Sequence, residues 1–141
     1  MPNALKLGLQ FAVVSHTDER GGHMIRVSEI MIKDPVCCTS LTNSEESKKL
    51  IKKYHCKKLP VVNTLHEKRI IGVVSEVDLD GLVNKNDLVI HCMSKNIHGI
   101  YEDETVGECL KLMIINNIEQ VHVIDKQGHF CGIVTQDDIL K

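Results

Sequence analysis

Two short hydroxyl and carboxylate pairs are the residues in this sequence best suited to chemistry. Ser75 precedes Asp78, and Thr135 precedes Asp138, each pair closing the pattern Gly-apolar-apolar-Ser/Thr-x-x-Asp. The run Gly72-Val73-Val74-Ser75-Glu76-Val77-Asp78 matches Gly132-Ile133-Val134-Thr135-Gln136-Asp137-Asp138 with every position displaced by 60. A carboxylate three residues after a hydroxyl, at a strand-to-helix junction, can accept both hydroxyls of a ribose while the Ser or Thr donates to phosphate or ribose. The flanking β-branched residues offer a flat apolar slot for a purine ring. The same residues also suit a plainer role, in which Ser75 and Thr135 cap the helices that Asp78 and Asp138 help begin.

Other chemistries find less support. The six cysteines, at 37, 38, 56, 92, 109 and 131, contain no Cys-x-x-Cys pair and no zinc-ribbon spacing. They are expected to be reduced thiols of a cytoplasmic protein. His91, His98 and His122 with Cys37, Cys38, Cys56 and Cys92 could serve a metal or redox sensor, yet His122 lies between Val121 and Val123 in a strand-like run and reads as an ordinary partly buried histidine. Cys56 and Cys131 read as core or cleft-wall thiols in apolar strand contexts. No glycine-rich phosphate loop, His-Glu-x-x-His motif or nucleophile with a recognisable base is present, so no enzymatic activity is expected.

Composition narrows the partners. Trp is absent, aromatics are 3% of the 141 residues and the formal charge is −2, which leaves little for base stacking or broad phosphate-backbone binding. No window approaches the roughly 18 consecutive apolar residues of a membrane span, so a soluble protein is expected. The lysines at 48, 49, 52 and 53 read as the wet face of a helix. Residues 1–24 are set apart as a leader, either disordered or foreign to the native chain, because Gly21-Gly22-His23-Met24 resembles a junction before a start codon. Within it, Leu7 to Val14 is apolar enough for a short strand or helix.

The elements that would position the two pairs occur twice in the same order. Ser44 before Glu45 and Glu46 reads as a helix start, with Leu50, Ile51 and Tyr54 at helical spacing. Pro60 to Val62 and Ile70 to Val74 read as strands around a Glu67-Lys68 turn, and Asp78-Leu79 with Leu82-Val83 as a short helix. In the second copy Thr105 with Glu108 is a capping signature before the stripe Val106, Leu110, Met113, Ile114. Strands follow at Val121 to Ile124 and Phe130 to Val134 around Lys126-Gln127-Gly128, with a last helix from Asp137. One such copy buries too little alone, so two are expected to share a core.

Taken together, Met31-Ile32-Lys33-Asp34-Pro35, a helix, Leu59-Pro60-Val61-Val62 and then Gly-apolar-apolar-Ser/Thr-x-x-Asp resemble the cystathionine-β-synthase (CBS) domain, here as a tandem pair over about residues 25–141. The second copy departs from the pattern, lacking proline after Met93 and carrying Gln120-Val121 for Leu-Pro. The resemblance implies an α/β (α+β) fold of two βαββα repeats, 25–83 and 84–141, packed around a pseudo-two-fold axis. It also implies a disc-like module with two clefts, a homodimer, and AMP, ADP, ATP or an S-adenosyl compound as a regulatory ligand. One cleft would join Ser75 and Asp78 to His98, Ile118 and Glu119; the other would join Thr135 and Asp138 to Ile32, Val36, Cys56, Lys57 and Pro60. Glu119 would repel a phosphate, whereas Lys57, with Lys33 or Lys58 nearby, would offset its charge, so the Thr135 cleft is expected to bind more tightly. A structural pair with empty clefts, and a thiol or metal sensor, are the alternatives.

Overall fold

In the computed structural model, residues 10–12 and 24–140 are described. They form strands β1 (Gln10–Ala12), β2 (Ile32–Lys33), β3 (Cys38–Thr39), β4 (Lys58–Val62), β5 (Ile70–Ser75), β6 (His98–Tyr101), β7 (Gln120–Ile124) and β8 (Phe130–Thr135). The helices are α1 (Val27–Ile30), α2 (Ser44–Tyr54), α3 (Glu76–Asp80), α4 (Val106–Asn116) and α5 (Gln136–Leu140), with a 3-10 turn at Val89–His91. The leader expected over 1–24 lies mostly outside the described residues, but Gln10–Ala12 form a strand parallel to β6.

The α+β reading holds, and the chain forms two compact units whose limits are not those of the repeats. The first unit comprises residues up to Pro35 together with His98–Lys141; the second is Val36–Ile97. The cause is an exchange of the opening segments. In the first unit β2 pairs antiparallel with β8, Ile32 opposite Ile133, and Val27 and Ser28 donate their N–H groups to the carbonyls of Glu104 and Glu102. In the second unit Ser94 bridges Val73 of β5, and Val89 and Ile90 donate to Thr42 and Ser40. Each donor and acceptor here recurs 62 residues on, so the opening turn of each repeat is built into the body of the other.

The first unit carries the sheet β1-β6-β7-β8-β2, the second the sheet β3-β4-β5. The parallel neighbours β6 and β7, and likewise β3 and β4, are joined through an 11-residue helix, because a parallel connection must recross the sheet. Helix α2 starts one residue earlier than its acids suggest: Asn43 is the cap, its side chain accepting from the Glu46 N–H, while Ser44 is buried as the first helical residue. Thr105 caps α4 as expected, accepting from Glu108. The helices end on His55 and Asn117, both left-handed, and α3 ends before Gly81, leaving Val83 fully exposed rather than helical.

The two cores correspond at six positions. Val27, Ile100, Met113, Val121, Val123 and Val134 of the first unit answer to Val89, Cys38, Ile51, Leu59, Val61 and Val74 of the second. His122 is more buried than a one-sided strand would make it, at 3% exposure, tilted against the Phe130 ring at 5.7 Å. Strand β7 is buried on both faces, which alternation alone does not reveal.

Candidate functional site

Both hydroxyl and carboxylate pairs close a capping box where a strand becomes a helix. Ser75 N–H donates to Asp78 Oδ2 at 2.9 Å, and Asp78 N–H donates to Ser75 Oγ at 3.2 Å. Thr135 N–H donates to Asp138 Oδ2 at 2.9 Å, the Thr135 hydroxyl donates to the same oxygen at 2.8 Å, and Asp138 N–H returns to Thr135 Oγ1 at 3.4 Å. The capping role is therefore real. It engages Oδ2 of each aspartate, and each side chain is half-buried, so the second oxygen stays available to an incoming donor.

The twelve residues singled out from the sequence fall into two sets, one per unit. In the first unit, β6 and β7 begin at the end of the sheet where β8 finishes, because β8 runs antiparallel to β7 with Thr135 opposite Gln120. That end collects His98, Ile118, Glu119, Thr135 and Asp138, and Gln136 N–H donates to the Glu119 carbonyl. Ile32, half-exposed on β2, lies opposite Ile133, two residues before Thr135. In the second unit Lys58 lies opposite Ser75. The matching end collects Val36, Cys56, Lys57, Ser75 and Asp78, with buried Pro60 two residues further along β4. Val36, Cys56, Lys57, Ser75 and Asp78 correspond in order to His98, Ile118, Glu119, Thr135 and Asp138. At one position the two sets are opposite in charge, Lys57 answering to Glu119. Each cleft implied by the resemblance draws on residues of both units.

One neighbour of the second set escaped the sequence reading. Cys92 is close enough to Asp78 for the carboxylate, after burial, to push its thiol up. It enters with the exchanged opening segment, for which no local signal exists. Cys38, Cys56 and Cys92 share one apolar cluster, at the positions that the first unit fills with Ile100, Ile118 and Ile30. Cys56 follows the end of α2 rather than lying in a strand. No group of three or more Cys, His, Asp or Glu among the described residues could hold a metal ion.

Burial also governs thiol reactivity. It pushes Cys38 and Cys109, both nearly inaccessible, up to about 12. An unfolded thiol ionises near pH ~8.5. Below that both states hold the proton and nothing is lost; above it the unfolded chain ionises while the folded chain resists, so stability falls as pH rises toward 12. Native protein near pH ~8 should therefore react with a disulfide reagent at Cys37, Cys56 and Cys92 well before Cys38 and Cys109. Mass mapping of the labelled thiols checks this; prompt labelling of Cys38 or Cys109 would refute it.

A duplicated strand-helix-strand-strand-helix pair, with a Ser/Thr-x-x-Asp box at the same end of each sheet, defines a tandem-repeat α+β fold. The family model described as the CBS domain matches it twice, over residues 27–85 and 86–141, and the chain belongs to the CBS-domain family. Among curated relatives, inosine-5'-monophosphate dehydrogenase of Methanocaldococcus jannaschii is 28% identical over 116 residues, which is 82% of this chain and 23% of that enzyme. L-aspartate semialdehyde sulfurtransferase of the same organism is 29% identical over 80% of this chain and 22% of its own length. The chain thus spans under a quarter of either enzyme. The solved CBS domain pair of protein MJ0100, in complex with 5'-methylthioadenosine and S-adenosyl-L-methionine, is 28% identical with a TM-score of 0.69, covering 84% of this chain and 94% of that one. The CBSX2 structure in complex with AMP, at 19% identity and a TM-score of 0.71 over 82% of this chain and 93% of that one, shares the fold. Among the described residues, no helix is long and apolar enough to cross a membrane.

Proposed function

We propose that this chain is a non-enzymatic regulatory module of the cytoplasm that binds an adenine nucleotide or an S-adenosyl compound and passes that occupancy to its own assembly or to a protein partner. The observation that carries the reading is the repeated Ser/Thr-x-x-Asp box, half-buried at the same end of both sheets, with one carboxylate oxygen beyond the needs of the cap. The 28% identical MJ0100 pair, solved with two adenosyl ligands, supports it. The alternative of empty clefts serving only to bind protein is the outcome if no adenosyl ligand stabilises the chain.

In this reading Thr135 and Asp138 act with Ile32, Val36, Cys56, Lys57 and Pro60, and Ser75 and Asp78 act with His98, Ile118 and Glu119. A phosphate is favoured beside Lys57 and disfavoured beside Glu119. A signal further requires that the ligand bind two arrangements of the module unequally, since equal affinity shifts neither. Calorimetric titration of Asp78→Ala and Asp138→Ala with the stabilising nucleotide tests the assignment. Asp138→Ala should cost about tenfold more affinity. Equal losses would remove the asymmetry, and the reverse order would assign each motif to the charges of its own unit.

A further inference from the structure

One edge of the sheet is closed in the first unit and open in the second. In the first, β1 lies parallel along β6, with Gln10, Phe11 and Ala12 opposite His98, Gly99 and Ile100. The matching residues of the second unit are Val36, Cys37 and Cys38, which lead into β3, the outermost strand of its sheet, and no described strand lies beside them. Gly99 has a neighbour on both sides, Phe11 and His122, and is buried. Cys37 is half-buried, and among the described residues no hydrogen bond takes up its backbone N–H or carbonyl. Unpaired backbone groups along a sheet edge are a template for another extended chain.

The surface just past this edge suits an apolar segment. Leu41, two residues after β3, is 70% exposed, and Ile90, whose N–H donates to the Ser40 carbonyl at 3.0 Å, is 47% exposed. The first unit has Asp103 and Ser28 at these positions. A strand running parallel to β3 would carry its following residues toward Leu41 and Ile90, where exposed apolar surface gains by being covered. Counting strands says where that segment comes from. Each chain has one β1 and two matching edges, and its β1 is already engaged on β6. Exchanging β1 between copies would still fill one edge per chain and leave the other open, so a second copy does not supply the missing strand.

From this we infer that the β3 edge receives an extended apolar segment of a different protein, added as a strand parallel to β3 beside Val36, Cys37 and Cys38, with its later residues over Leu41 and Ile90. The contact does not rest on the nucleotide reading, and its test contains no nucleotide, so the two fail separately. Amide hydrogen exchange on the full chain, read residue by residue by NMR, tests it. The probe is a peptide of residues 8–14, because its centre is the strand that fits the matching edge. In the chain alone the Cys37 N–H should exchange close to the rate of unprotected backbone. The peptide at about 1 mM should slow that exchange by about tenfold or more. The same peptide N-methylated on its Gln, Phe and Ala should leave it unchanged, because strand addition needs main-chain N–H groups. Leu41→Asp with Ile90→Ser, which gives the second unit the residues of the first, should weaken the peptide's effect by about fivefold with a melting temperature close to wild type. No slowing by the peptide, or equal slowing by its N-methylated form, would overturn the contact. So would a Cys37 amide protected in the chain alone: protection that grows with protein concentration would assign the edge to a second copy, and protection at every concentration would mean that the edge is already closed.

Discussion

Gly132→Val is expected to destabilise the chain by on the order of 3 kcal/mol, a melting temperature lower by roughly 10 °C. Gly132 lies where the exchanged opening segment crosses the hairpin. A Cβ there would collide with the Met31 sulfur, approach Met31 Cγ at 2.9 Å and meet the Ile32 carbonyl at 3.1 Å. The thioether could swing away only by leaving the core cluster against which it packs, and the carbonyl is fixed by the pairing of β2 with β8. Gly72 is in the same position in the other unit, with Met93 Sδ at 2.8 Å and the Ser94 carbonyl at 3.0 Å, so the close approach belongs to the exchange itself. Gly107 supplies the contrast. It is exposed on α4 and a Cβ would meet only Thr105 Oγ1, at 3.9 Å, so Gly107→Ala should stabilise by about 0.5–1 kcal/mol. Thermal melts of the two variants check both signs. A Gly132→Val melt indistinguishable from wild type would mean that the opening segment is not held as described.

Asp138→Asn is expected to separate the two roles of the box, weakening adenosyl-ligand binding by between about 10-fold and 100-fold while costing less than about 1 kcal/mol of stability. An amide retains one oxygen that can accept the Thr135 N–H, now at 2.9 Å, so the cap largely survives. It loses the negative charge and one of the two acceptors through which a carboxylate binds a pair of ribose hydroxyls. Thr135 cannot compensate, because its hydroxyl proton is already directed at Asp138 Oδ2 at 2.8 Å. Ser75 and Asp78 form no such hydroxyl-to-carboxylate bond among the described residues, leaving the Ser75 hydroxyl free to turn toward a ligand. Parallel melts and titrations of Asp138→Asn resolve the roles. A large loss of stability with unchanged affinity would reduce the box to a helix cap.

Much of this architecture was legible in the sequence because it is local and repeated. The hairpins β4–β5 and β7–β8 announce themselves through β-branched runs around polar turns, and each turn holds a residue of positive φ, Lys68 in one and Gly128 in the other. The Ser75 and Thr135 boxes are legible because a cap needs residues only three apart. The exchange of opening segments was not legible. Strand β2 is two residues long, and its partner on β8 lies about a hundred residues away, so no periodicity announces the pairing. The same non-local pairing places Lys33 opposite Gly132. The register of Lys58 against Ser75, and of Gln120 against Thr135, could have been counted from the hairpins, but not what else borders them. The start of α2 was misplaced by one residue because Asn43 and Ser44 both have side chains able to cap, and only the extended backbone of Asn43 decides between them.

Adenosyl-ligand binding at the Thr135 box is tested most directly by the melting temperature of the full chain with AMP, ADP, ATP, S-adenosylmethionine and no ligand, repeated on Asp138→Asn. A ligand that binds only the folded state, present at a hundred times its dissociation constant, adds about 2.7 kcal/mol. A clear rise is expected with at least one of these ligands, and it should disappear in the variant, whose own melt stays close to wild type. No rise with any of them at about 1 mM, or a rise that Asp138→Asn leaves intact, would contradict it.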